Sequence, residues 1–440
     1  MADYVKIIRN QKEDLDRLLK EEFVVRERIT GIDLNSPCVQ VVIGVRRSGK
    51  SILCLMAFKT AGVPFGYVNF DDENLDSIQA SDLDDILKAA LVVYGPVKHL
   101  FLDEIQDVPK WQLFVNRLLR KGFHLVISGS NARLLSSELA THLTGRYVSI
   151  ELLPFSFSEY RAWLKRGKAE TTTEIAEVRR DYDHYFFHGG MPESFVMLDA
   201  RNYLRNIYEA ILFHDILKRH NLRNPKTLSD VTKVVMESYA LEVSYAAIAR
   251  RLGIKSVHTV QNYVHYLEAA YLVQTVSRFS FKTAERTKLG KVYVIDLGFI
   301  SYASGVLEGA GNFGRRLENL VFLHLRSLRE KLDYEIYYYR DQSHEVDFVL
   351  QHFGHVKRLI QVCHTIDDDK TKKRELSALL AVGAKLNCED LLLITDHENG
   401  TVTGNGQTVR IAAITDWLAE ASDERLPDWE KPPARVSAGM

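Results

Sequence analysis

Between residue 38 and about residue 153 the chain alternates short apolar runs with longer stretches of helical spacing. The apolar runs are 39–45, 65–70, 97–103, 123–129 and 147–152, and the stretches 51–61, 75–93, 111–121 and 132–143 between them read as helices. Runs that are apolar throughout, rather than alternating, mark parallel strands covered on both faces. The pattern therefore predicts an α/β domain built on a parallel sheet of about five strands. Tyr4, Ile7, Ile8, Leu15, Leu18 and Leu19 stand at helical spacing and predict a helix ahead of it.

The pattern then changes. Residues 155–241 read as helical, broken at Gly189-Gly190-Met191-Pro192, a turn signal. Residues 244–272 read as two short helices around a glycine. From Arg315 onward a long helix precedes strands at 346–350, 359–362 and 391–395, a second α/β unit. Residues 422–440 hold three prolines and many charges, and a frayed tail is expected there. The expected blocks are an N-terminal helix (1–30), an α/β core (31–153), a helical lid-like region (154–228), a winged-helix or helix-turn-helix block (229–300), a nuclease-like α/β block (301–421) and the tail (422–440).

Composition narrows the class. With 440 residues, 46% of them hydrophobic and 26% charged, the chain has ample material for packed cores, which excludes disordered and collagen-like classes. Its net charge of −1 gives no overall basic field, so any nucleic-acid surface must be local. Cys38, Cys54, Cys363 and Cys388 are too scattered for a disulfide framework or a paired zinc site. No apolar run approaches the ~18 residues that span a bilayer, and the charge-dense N-terminus is not expected to be a signal peptide. A cytoplasmic address and no membrane partner are expected.

The densest chemistry is Gly44-Val-Arg46-Arg47-Ser48-Gly49-Lys50-Ser51, a full G-x-x-x-x-G-K-[ST] motif between a predicted strand and a predicted helix. Its glycines let successive backbone N–H groups turn inward around phosphate oxygens, and the following helix, from Ile52 on, presents its positive end to the same anion. Lys50 is expected on the β- and γ-phosphates of ATP and Ser51 on Mg²⁺. The apolar run ending in Asp103-Glu104 supplies two adjacent carboxylates. Asp103 is expected to complete the Mg²⁺ shell opposite Ser51, and Glu104 to polarise the attacking water as general base. A third run ends in Ser128-Gly129-Ser130-Asn131. One of these side chains is expected to read the γ-phosphate, with helix N-capping as the alternative. Arg146 is the candidate arginine finger, acting in cis or from a neighbouring subunit, with a surface salt bridge as its alternative role.

Together with Leu-Thr-Gly-Arg-Tyr (143–147), Leu-Leu-Pro-Phe-Ser-Phe-Ser-Glu-Tyr (152–160), His-Gly-Gly-Met-Pro-Glu (188–193) and Lys-Val-Tyr-Val-Ile-Asp-Leu-Gly (291–298), these motifs resemble the prokaryotic AAA-type ATPases fused to a C-terminal domain of unknown function. The resemblance runs through most of the chain in order. It implies an AAA+ fold with the first strand central in the sheet, and assembly into homo-oligomeric rings, a hexamer being one such ring.

Residues 243–268 read as helix, glycine turn and second helix, the grammar of a helix-turn-helix. Ala246, Ile248, Ala249 and Leu252 are expected to face inward from the first helix, and Val260, Tyr263, Val264 and Leu267 from the second. From Tyr245 to Lys291 there are eight Lys or Arg against two Glu, a local basic patch. If the module reads DNA, Arg250, Arg251 and Lys255 would touch phosphates, and Thr259, Gln261 and Asn262 are the polar tips of the second helix. A structural or protein-docking module is the alternative.

The last block resembles a restriction-endonuclease-like core, which needs a helix Glu, a strand Asp and an acid-x-Lys on the next strand to hold a divalent metal and orient water. Glu318 and Asp347 fit the first two places. Gln361 and Cys363 stand at the third, where neither an amide nor a thiol replaces an acid and a lysine. A degenerate nuclease fold is expected. Three functions compete: a Mg²⁺-dependent ATPase acting on or recruited to DNA, a nucleotide-driven switch controlling a protein partner, and an ATP-gated nuclease, against which Gln361 and Cys363 argue.

Overall fold

The computed structural model describes residues 3–129, 143, 145–281, 290–304, 312–404 and 406–421. Ser130, Asn131, residues 132–142 of the helix expected over 132–143 and the expected tail over 422–440 lie outside the described residues. The chain divides into two compact units that interleave along the sequence: Met1–Phe155 with Met191–Arg223 and Tyr266–Leu272, and Ser156–Gly190 with Asn224–His265 and Val273–Met440. The consecutive blocks expected above have no way to express such interleaving, because periodicity is local and unit membership is set by distant contacts.

The first unit carries a five-stranded sheet. Its strands are β1 (Val39–Ile43), β2 (Phe65–Asn69), β3 (His99–Asp103), β4 (His124–Gly129) and β5 (Tyr147–Glu151). They run parallel in the order β2-β3-β4-β1-β5. β1 is thus interior but next to one edge strand, not in the middle of the five as expected. Every residue of β1 is buried, whereas the edge strands β2 and β5 are only partly covered. The expectation of strands buried throughout holds only where neighbours flank both sides.

Helix α1 (Tyr4–Leu18) precedes the sheet, and α2 (Lys50–Ala61), α3 (Leu83–Tyr94) and α4 (Trp111–Arg120) lie in the connections β1–β2, β2–β3 and β3–β4. Leu53, Cys54 and Phe58 of α2 pack with Val42, Phe101 and Val126 of the sheet in one apolar core. The helix expected from residue 75 begins only at Leu83. A short 3-10 turn, Glu73–Leu75, precedes it, and the Asp82 carboxylate accepts from the Gln79 backbone N–H (2.8 Å), closing a turn where helix was expected.

In the second unit β6 (Leu241–Val243), β7 (Val273–Ser277) and β8 (Gly290–Val294) form an antiparallel sheet ordered β6-β8-β7. The helices Pro225–Glu237, Tyr245–Leu252 and Val257–Ala269 come before β7, and Gly253 turns between the last two at φ +67°. Ile248, Ala249, Val260, Tyr263, Val264 and Leu267 are buried. Ala246, expected on the inner face, is exposed; it sits in the first turn, where a methyl group costs little in water.

A six-stranded sheet follows: β9 (Glu335–Arg340), β10 (Glu345–His352), β11 (His355–Val362), β12 (Leu391–Thr395), β13 (Gly400–Gly404) and β14 (Gln407–Ala413), ordered β13-β14-β12-β11-β10-β9. β11, β12 and β14 are parallel, and the helix Asp369–Leu386 makes the crossover from β11 to β12. The long helix Phe313–Leu332 precedes β9. Among the described residues no helix is long and apolar enough to cross a membrane.

Candidate functional site

The phosphate loop leaves β1 at Gly44 and enters α2 at Lys50. Gly44 sits at φ +152°, and a Cβ there would lie 2.1 Å from the Leu152 carbonyl oxygen, so only glycine lets the loop pass. Gly49 (φ +92°) and Arg47 (φ +66°) are left-handed as well, which turns the loop around a concave centre. A cavity of ≈ 280 Å³ opens there, lined by Arg46, Arg47, Gly49, Lys50, Ser51, Ile52, Asn69, Asp71, Asp103, Glu104 and Glu193. Ser48 is fully buried and its hydroxyl has no hydrogen-bond partner among the described residues.

Lys50 Nζ donates to the Val45 carbonyl oxygen (3.1 Å). Burial holds its ammonium below the usual lysine range, opposed by Glu104 and Asp103. Ser51 Oγ donates to Asp103 Oδ1 (3.1 Å), Ser128 donates to the same oxygen, and Tyr67 donates to Oδ2 (3.3 Å). Asp103 ends β3 beside Ser128 of β4 in the register of the sheet, which explains how one carboxylate collects three hydroxyls. Burial raises Asp103 and Glu104 above the ordinary carboxylate range. Glu104 adopts φ +55°, a backbone state that costs a non-glycine residue roughly 1–2 kcal/mol. Gln106 donates to its carboxylate.

The loop and carboxylate residues expected from the sequence thus meet around one cavity. Of the three candidates for reading the γ-phosphate, Ser128 contacts Asp103, while Ser130 and Asn131 lie outside the described residues. Arg146 is exposed at the start of β5, where its carbonyl accepts from Val39 N–H (3.0 Å). Sequence reasoning missed Asn69, which carries no motif and reaches the cavity because β2 pairs with β3, Tyr67, whose hydroxyl reaches Asp103 from the same strand, and Glu193, which arrives from beyond residue 190.

In the second unit Arg250, Arg251, Lys255 and Gln261 are exposed, and Thr259 and Asn262 are half-buried. Arg251 lies 3.9 Å from Glu237. Lys291, counted above in the basic patch, does not belong there. It is buried, and its Nζ stands 3.0 Å from Glu318, 2.8 Å from Glu345 and 2.9 Å from Asp347. These counter-charges lift it well above the usual lysine range against the opposing pull of burial. Asp347 Oδ2 also accepts from Val362 N–H (3.0 Å), and Tyr293 OH donates to Glu318 (2.7 Å). Gln361 donates to Glu375 (2.8 Å) and accepts from Asp347 N–H (3.3 Å), whereas the Cys363 thiol turns to the Thr365 carbonyl. The structure therefore gathers Glu318, Asp347 and Gln361, leaves Cys363 aside, and adds Lys291, Glu345 and Glu375.

A glycine-lined phosphate loop between β1 and α2, with paired carboxylates at the end of β3 in a parallel sheet, defines a P-loop nucleotide-binding domain. Residues 36–161 match the model of an AAA domain, 179–309 that of a domain of unknown function (DUF8612) and 313–414 that of a further domain of unknown function (DUF4143). The first region is thus an AAA-type P-loop ATPase domain. The uncharacterized protein MJ1544 of Methanocaldococcus jannaschii is 34% identical over 398 residues, covering 86% of this chain and 88% of its own. The chain belongs to the same family as that archaeal protein. An uncharacterized protein of Haemophilus influenzae is 29% identical over 400 residues, 87% of this chain and 94% of its own. Among solved structures, the Walker-type ATPase PABY2304 of Pyrococcus abyssi overlaps 67% of this chain and 95% of its own at a TM-score of 0.42 and 14% identity.

Proposed function

We propose that this protein binds and hydrolyses ATP at the cavity beside Gly44–Ser51. The observation that carries the reading is the convergence of Lys50, Ser51, Asp103 and Glu104 on that one cavity. Lys50 and the loop's N–H groups hold the phosphates. Ser51 and Asp103, an all-oxygen pair already in contact, fit Mg²⁺, which would neutralise phosphate charge when bound. Glu104 takes the proton of the attacking water, and the strained backbone at this residue fixes where its carboxylate sits. Ser128 orients Asp103. Lys50→Ala should abolish ATP binding. Glu104→Gln should keep binding and lower turnover by about 10²–10⁴. A Glu104→Gln protein turning over at the wild-type rate removes Glu104 from the mechanism.

The exposure of Arg146 supports a finger offered to a neighbouring copy in a homo-oligomeric ring. Arg146→Ala then lowers turnover by about 10³ with nucleotide affinity kept, and mixing it with Lys50→Ala protein restores part of the activity.

The C-terminal half of the chain acts on, or is recruited to, DNA. The helix, strand, two helices and two strands from Pro225 to Val294, with sheet order β6-β8-β7, follow the order of a winged helix, and Arg250, Arg251 and Lys255 stand exposed on it. ATP turnover measured with and without duplex, single-stranded and branched DNA tests this. Stimulation by several-fold supports it, and indifference to every DNA favours a nucleotide switch acting on a protein partner. The six-stranded unit acts as a degenerate nuclease fold. Lys291 occupying the centre of its carboxylates supports that reading over an ATP-gated nuclease.

A further inference from the structure

Three ion pairs tie one stretch of the first unit to the two loops bordering the phosphate cavity. Arg46 donates from Nε to Asp215 Oδ2 (3.1 Å) and from Nη2 to Asp215 Oδ1 (2.8 Å), a two-point grip. Arg47 Nη1 donates to Glu193 (3.2 Å), whose other oxygen accepts from Tyr203 OH (2.8 Å). Arg219 Nη2 stands 3.4 Å from Asp107, just past the Asp103-Glu104 pair. Glu193, Tyr203, Asp215 and Arg219 all come from Met191–Arg223, which belongs to the same unit as the sheet.

Asp215 is the centre of this arrangement. It is 6% exposed, and a buried carboxylate without a cation is costly. It lies in Ile211–Lys218, an eight-residue π-helix. Such helices are rare, are seldom longer than one turn, and occur mostly at functional sites. Arg46 itself lines the phosphate cavity beside Lys50. Asp215 engages its Nε and Nη2, and Nη1 makes no hydrogen bond to any described residue. A guanidinium held at two nitrogens has lost most of its rotational freedom and presents the third in a fixed direction.

We propose that Asp215 is a positioning residue of the nucleotide site: it holds Arg46 so that Nη1 donates to a phosphate oxygen of the bound nucleotide. This rests on the cavity being the ATP site. Arg46 then adds a second fixed positive charge to that of Lys50, supplied in cis. The π-helix sets Asp215 and Arg219 so that one stretch of chain braces the phosphate loop and the loop after Glu104 together.

The test is a double-mutant cycle on the full chain, with ATP and ADP affinity read by fluorescent-nucleotide titration and kcat and KM by phosphate release. Arg46→Ala and Asp215→Asn should each weaken ATP binding by about tenfold, the worth of one charge-assisted hydrogen bond. The double variant should bind no worse than Arg46→Ala alone, because Asp215 acts only through Arg46. KM should rise in each single variant while kcat stays within about twofold. Arg46→Lys, which keeps the charge but cannot take the two-point grip, serves where Asp215→Asn does not fold, and should weaken binding nearly as much as Arg46→Ala. Additive losses in the double variant, or Arg46→Ala and Arg46→Lys binding like wild type, overturn the proposal. Wild-type protein that binds ATP no better than Lys50→Ala would instead overturn the ATP reading beneath it.

Discussion

Two lysines in this chain sit among carboxylates, and their settings differ in one respect. Lys50 borders a cavity. Its ammonium donates to a backbone carbonyl, and burial holds it below the usual lysine range. Lys291 is as buried but touches three carboxylates within 3.0 Å, and it is held far above that range. The same residue types thus make a binding site where the charges face a cavity, and a structural knot where the chain supplies the counter-charge itself. A buried charge whose partner must come from outside is an affinity in waiting. One already paired contributes to folding and has little left to offer a ligand.

Exchanging the effects of the two lysines would break this contrast. Lys291→Ala should cost about 3–5 kcal/mol of unfolding free energy, because Glu318 and Asp347 lose their buried partner. ATP affinity of the folded protein should stay at the wild-type value. Lys50→Ala should do the reverse, with ATP binding gone and stability within about 1 kcal/mol of wild type, since a buried ammonium with a lowered pKa stabilises nothing. Denaturant unfolding and nucleotide titration of both variants check the pair.

A smaller effect sharpens it. Lys291→Met combined with Glu318→Gln and Asp347→Asn removes the buried charges together, with Glu345, the most exposed of the three carboxylates, left in place, and should regain most of the stability that Lys291→Ala loses, since replacing a buried ionic cluster is often near neutral. Failure to regain it would mean that the cluster's hydrogen bonds, such as Val362 N–H to Asp347, matter more than its charge.

The smallest effect concerns the basic patch once Lys291 has left it. Replacing Arg250, Arg251 and Lys255 by Ala should flatten the salt dependence of DNA binding by up to about three units of slope, each lost phosphate contact counting for about one. Basal ATP turnover without DNA should be unchanged. Equal slopes for wild type and variant would make this module structural.

Much of the first unit was legible because its signals are local. The five apolar runs each became a strand, and the phosphate loop lies between the strand and the helix that its motif requires. What stayed hidden depends on distance along the chain. Lys291 looked like one more cation near the two-helix module, because its partners Glu318 and Asp347 lie 27 and 56 residues on. Asp215 stands 169 residues from Arg46, and no periodicity links a carboxylate in a helical stretch to a loop that far upstream. Ala246 was misplaced for a different reason: alanine fits either face of a helix, so it carries almost no information about burial.

Arg26 lies ten residues before the start of the AAA-domain match at residue 36. It is buried, donates to the carbonyls of Ser48 and Leu153 (both 2.7 Å), and stacks over the Phe155 ring. It therefore fastens the phosphate loop to the chain leaving β5, from outside the stretch that is recognised as the domain. The unit that sequence comparison delimits and the unit that holds the loop in shape have different edges. A fragment cut at the first would keep every motif residue and lose the brace behind Ser48, so an inert fragment would report on where it was cut and not on the chemistry of the intact chain.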